Sequence, residues 1–240
     1  LTHNTFVLSG GAEFTPECRP LEQSWLKLIR HHAPPVVIIP AAAAAHATRA
    51  ERDSIHYFKD LRTKPFVSMI VSPETANDQV KVSELENSSA YYLTDGSPLD
   101  VVNVLKKSEA LETLLFLWRS EPNQVLVACG ASAMAFCDVY LDGGVWEPGL
   151  GLLKGAVILP HHQKVAGRFT YSRLAANLPP NTKIIGIDDT TGIMVTNGTA
   201  RVIGSGLVTV YTAEGEANDQ DYPEYSAGKT LPFPLNLTPP

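Results

Sequence analysis

Four short stretches of this sequence carry residues able to do acyl-transfer chemistry. The first, "VLVACGASAMAF", sets Ser132 among small residues after the apolar run Val125 to Ala128. A strand, a tight turn and then a helix can lift a serine out of a sheet edge as a nucleophile, or the same serine can cap the helix that follows. The second, "AVILPHH", ends an apolar run on His161 and His162, where an imidazole could take a proton from the serine. The third, "IIGIDDTTGIMV", places Asp188 and Asp189 after a β-branched run. They read either as a hydrogen-bonded turn or as the carboxylate that orients the base. The fourth is Ser9-Gly10-Gly11, after the run Phe6-Val7-Leu8. Amides of Gly10 or Gly11, together with that of Ala133, could stabilise an oxyanion, and an ordinary turn explains the glycines equally well.

These groups need a rigid frame to meet. Val36 to Ile39 is a continuous β-branched run, the pattern of a strand buried on both faces, and Phe66 to Val71, Ala90 to Leu93 and Val125 to Ala128 repeat the strand pattern. Leu21 to Arg30, a segment reaching about Leu61, and Leu99 to Leu117 have helical spacing. Strand and helix alternate, which predicts a parallel sheet with helices on both faces. Ile184 to Ile187, Ile193 to Val195, Arg201 to Ile203 and Leu207 to Tyr211 are short and turn-separated, and Asn197-Gly198 is a hairpin signal. Antiparallel strands that extend or flank the sheet are expected there. The organisation expected is one α/β domain over residues 1–213 and an extended surface tail over 214–240.

Composition narrows the function. The chain has 240 residues, 44% of them hydrophobic, and a net charge of -6. Its basic residues are scattered, with no stripe for nucleic acid. No apolar run approaches the roughly 18 residues of a membrane span, and the first residues carry no charged-then-apolar leader pattern. Three cysteines without metal-type spacing read as reduced thiols in a cytoplasmic protein. The pair His31-His32, on the last turn of an expected helix, carries no functional weight. Nothing in the pattern calls for a metal or an organic cofactor, and the composition is compatible with a homodimer without requiring one.

Taken in order, "LSGGAEF", "VVIIPAAAAA", "YYLTDGSPLDVVNVL", "GASAM", "GLGLLKGAVILPHH" and "GIDDTTGIMVTNGTARVIGSGLVTV" resemble the cyanophycinase and dipeptidase E family of serine peptidases. The resemblance spans about Phe6 to Tyr211. It implies a flavodoxin-like sheet of the class I glutamine amidotransferase type and hydrolysis of a short, acidic or aspartate-containing peptide. Ser132 takes the nucleophile's place, His161 the base's, and Asp189 the acid's. Asp188, Asp138, Asp142 and Glu147 are alternatives for the acid. Arg168 and Arg173 are candidate partners for a substrate carboxylate, and they read equally well as surface ion pairs. Two departures stand out. Met134 occupies the position of the motif's second glycine, and Thr94-Asp95-Gly96 replaces a double glycine near the substrate. Asp95 there could repel a substrate carboxylate or attract an amino terminus. The alternative implied by these departures is a catalytically silent protein that binds or builds on the same fold.

Overall fold

The computed structural model describes residues 4–29 and 34–238. His31 and His32 lie outside them. The main sheet holds seven strands. β1 (Thr5–Ser9), β2 (Pro35–Ile39), β3 (Lys64–Val67), β4 (Ala90–Leu93) and β5 (Val125–Cys129) run parallel, in the spatial order β1-β5-β4-β2-β3. The inner strands β1, β5, β4 and β2 are buried along nearly their whole length because both faces are covered, whereas β3 at the edge exposes Lys64 and Phe66. Val36 and Ile38 pack toward one core, with Trp25 and Phe58, while Val37 and Ile39 pack toward the other, with Leu105 and Leu114. β5 divides likewise, Val127 and Cys129 to one side, Leu126 and Ala128 to the other. A period of two along a strand buried twice gives this continuous hydrophobic run.

The helical segments are shorter than their periodicity predicts. Leu99 to Leu117 is two helices, Pro98–Leu105 and Glu109–Ser120. The break falls at Lys107, which takes a positive φ of 59°, and Ser108 then caps the second helix through its Oγ and the Leu111 amide, 3.2 Å. Such a cap satisfies one of the free amides at a helix start. The alanine tract makes a 3₁₀ turn, Ala41–His46, before the helix Ala47–Asp60. Phe66 to Val71 is strand only as far as Val67.

The later strands do two jobs. After the hairpin β6 (Val139–Asp142) and β7 (Val145–Pro148), β8 (Ala156–Leu159) and β9 (Lys183–Ile187) pair in parallel in a second, four-stranded sheet. β10 (Thr191–Thr196) and β11 (Thr199–Gly204) form the expected hairpin and extend the main sheet beside β1. β12 (Val208–Tyr211) and β13 (Glu224–Tyr225) complete the second sheet. The residues after Glu214 run back along this body: Leu231 and Leu235 are buried in the larger core, and Leu237 bridges to Leu153. Among the described residues, no helix is long and apolar enough to cross a membrane.

Candidate functional site

The carboxyl ends of β1, β4, β5, β8 and β9 converge, as ligand sites do on open parallel sheets. β1 ends in Gly10-Gly11, β4 in Thr94-Asp95-Gly96 and β5 in Gly130. β8 leads to Pro160-His161-His162, and β9 leads to Asp188-Asp189. The two sheets are laced together here: the His161 amide donates to the Gly10 carbonyl, 2.8 Å, and the Thr190 amide to the Gly11 carbonyl, 3.2 Å. The backbone is unusual throughout the cluster. Ala12, Phe14, His161 and Thr190 all have φ between 51° and 60° although none is glycine. Non-glycine residues in this region carry strain that the surrounding structure must hold, and such positions gather at functional sites.

The His161 corner joins the residues expected there. His161 Nδ1 lies 2.6 Å from Asp189 Oδ1. The Lys164 ammonium contacts the other Asp189 oxygen at 2.5 Å, and the Gln163 side chain accepts the Asp189 amide at 2.9 Å. Burial favours the neutral acid at Asp189, but Lys164 and His161 outweigh it and the carboxyl titrates below its ordinary value. The second His–Asp pair faces the other way. His162 is buried, its Nε2 2.8 Å from the Tyr211 hydroxyl and its Nδ1 3.5 Å from Asp188. Burial holds its pKa below 6.5 despite Asp188. Adjacent residues thus supply one pair to the site and one to the core. Asp138 pairs with Lys154 instead, and Asp142 and Glu147 sit exposed on the β6–β7 hairpin.

The Ser132 hydroxyl has a different partner from the one expected. Ser132 is fully buried in the short helix Ala131–Ala135, and its Oγ donates to the Thr94 carbonyl at 2.6 Å. Both His161 nitrogens have other partners: Asp189 on Nδ1, and Asp95 on Nε2, where Asp95 Oδ2 lies 3.0 Å away. The sharp turn after β5 falls two residues earlier than the serine. Gly130, with φ 51° and ψ -113°, occupies it, and its amide still extends the β1–β5 ladder to the Ser9 carbonyl at 2.9 Å. Met134 lies beyond the turn, partly buried against the core.

Of the expected oxyanion donors, the Gly11 amide faces the Ser9 hydroxyl at 3.5 Å. The Gly10 amide is spent on the Thr191 carbonyl, 2.9 Å, and Ala133 is buried in the core. Gly10 and Gly11 instead make room. A Cβ on Gly11 would collide with the His161 ring, and one on Gly10 with the Asp188 carbonyl. The amides that do converge are those of Gly96 and Ala131, 2.7 and 2.8 Å from Asp95 Oδ1. Asp95 is therefore central, held by two amides through one oxygen and facing the imidazole with the other. Arg168 and Arg173 are exposed and line a different cavity, of about 780 Å³, with Trp146 and Phe169.

Sequence reasoning passed over Glu13 and Lys164, and read Gly130 only as a small residue in the turn before Ser132. Glu13 accepts the Asp95 amide at 3.0 Å. Burial, then the nearby Asp95, pushes its carboxyl well above the ordinary value. Its only sequence signal is its position two residues after the glycine pair. His161 titrates above 6.5: the hydrogen bond to Asp95 is the chief cause, burial opposes it, and Asp189 adds to it.

No family model matches the chain, and no curated protein does. Solved structures do share its fold. A peptidase from an acI-B1 Actinobacterium is 18% identical, with a TM-score of 0.79 over 97% of this chain and 98% of that one. A peptidase E-like protein from Listeria monocytogenes EGD-e is 13% identical, with a TM-score of 0.58 over 85% of this chain and 100% of that one. The chain has the peptidase E-like α/β fold, a mostly parallel seven-stranded sheet carried further by antiparallel strands.

Proposed function

We propose that this chain is a peptidase-fold protein that does not hydrolyse peptides through Ser132, and that it acts by binding. One observation carries this reading. The Asp95 carboxylate stands against the Gly96 and Ala131 amides and His161 Nε2, where a substrate carbonyl would have to lie, and the Ser132 hydroxyl is engaged by the Thr94 carbonyl instead. Ser132 serves to hold the Thr94-Asp95-Gly96 loop through the Thr94 carbonyl. The three unpaired, buried cysteines fit a cytoplasmic setting.

A second reading, a serine peptidase acting on a short acidic peptide, is favoured by the His161–Asp189 pair, which has the orientation of a base and its supporting acid. It also draws on the peptidase names of the two structural neighbours. It would require Ser132 to leave its buried hydrogen bond and reach His161.

Labelling with a fluorophosphonate, alongside an active serine hydrolase, separates the two. The expected result is no label on the wild-type protein and no turnover of a panel of acidic dipeptides. Label that disappears in Ser132→Ala would overturn the binding reading.

A further inference from the structure

Gly130 has no side chain, yet the space before it is built for one. Its φ of 51° and ψ of -113°, at the junction of β5 and a short helix, are the strained turn from which a nucleophile projects off a sheet edge. A Cβ placed there would run directly into the Asp95 carboxylate. That carboxylate touches every group that acyl transfer needs. Oδ1 receives the Gly96 and Ala131 amides at 2.7 and 2.8 Å, within the range of donors to a developing oxyanion. Oδ2 lies 3.0 Å from His161 Nε2, the atom that would take a nucleophile's proton, while Asp189 holds Nδ1.

We propose that Gly130 is a nucleophile position without its nucleophile, and that Asp95 is a built-in carboxylate ligand filling the acyl and oxyanion site in front of it. The proposal rests on the non-hydrolysing reading above. It further assigns the site's ligand chemistry, a small carboxylate or an acyl group, and says which two residues keep the site silent. Base, acid and oxyanion donors remain in place, so supplying a hydroxyl and removing the plug restores reactivity toward an acylating or phosphonylating reagent.

The experiment is fluorophosphonate labelling of the double variant Gly130→Ser/Asp95→Gly. The introduced hydroxyl oxygen forms a bond to phosphorus, the P–F bond breaks, fluoride leaves, and the hydroxyl proton passes to His161 Nε2. The expected labelling rate is about 10²-fold or more above wild type, falling by a similar factor when His161→Ala is added, the scale of general-base assistance. Adding Ser132→Ala should leave the label in place. A folded double variant that does not label overturns the proposal while the non-hydrolysing reading stands. Label on the wild-type protein at Ser132 overturns that reading instead.

If the double variant does not fold, Asp95→Ala decides. Acetate should then bind saturably in the freed cradle, shifting the Gly96 and Ala131 amide resonances and raising the pH at which His161 titrates. Absence of any acetate-dependent shift overturns the proposal.

Discussion

The two sides of this site differ in how completely they are furnished. On one side the loops after β8 and β9 supply an imidazole, a carboxylate beside it and a lysine beyond that, while Gly11 after β1 leaves room for the ring. On the other, the turn after β5 presents a bare glycine and points its serine into the core. Asp95 spans the gap from a third strand end. The imidazole therefore keeps a partner on each nitrogen without a nucleophile. The strained turn at Gly130 is held by neighbouring packing and by the hydrogen bond from its amide to the Ser9 carbonyl.

The largest effect should come from filling the bare side alone. Gly130→Ala should destabilise the fold by about 1–3 kcal/mol through its positive φ, with a further cost from contact with Asp95, measured by urea unfolding. In an Asp95→Gly background part of that cost should vanish. A double-mutant cycle with no coupling would mean that the carboxylate does not occupy the space before Gly130.

Asp95→Asn tests the bridge between the two sides. Asp95 is the chief cause of the raised His161 pKa. The stability tied to that shift is complete below the unfolded-state value near 6.5 and is lost as pH rises through the folded value. The variant should lower the His161 midpoint in NMR titration and flatten the decline of unfolding free energy above that pH. An unchanged midpoint would assign the shift to Asp189.

Ser132→Ala should cost about 1 kcal/mol, the scale of one buried hydrogen bond, by urea denaturation. It should also loosen the 94–96 loop, seen as faster amide exchange at Gly96. A loss of several kcal/mol would point to a larger role in packing the elbow. Lys164→Ala should be smallest. Its side chain is 61% exposed, so the change in stability should stay below about 1 kcal/mol and shrink further in high salt.

Much of the frame is legible in the sequence. β-branched runs such as Val36 to Ile39 cannot be half-exposed, so they announce a doubly covered parallel sheet, and Asn197-Gly198 announces the β10–β11 hairpin. The pairs His161-His162 and Asp188-Asp189 were also readable as candidates, since each follows an apolar run that must end at one edge of such a sheet, and the resemblance chose His161 and Asp189 among them. Gly130 was not. Where a strand stops and its turn begins is uncertain by about two residues from pattern alone, and a two-residue offset exchanges a buried serine for a bare glycine. The break at Lys107 was hidden for a related reason, because apolar spacing continues across it while the backbone does not.

By itself, the sequence determined the layered α/β architecture, which follows from local patterns of burial and turn chemistry, while the pairing of His161 with Asp189 was only what the family resemblance implied. Only the tertiary structure decided what faces His161. The β1–β5 ladder carries on to the Gly130 amide and places the turn there. Asp95, 36 residues from the Ala131 amide in the chain, reaches the site from an adjacent strand. Its carboxylate satisfies two amides and an imidazole at once, an arrangement set by distances across the sheet edge and absent from any local stretch of sequence.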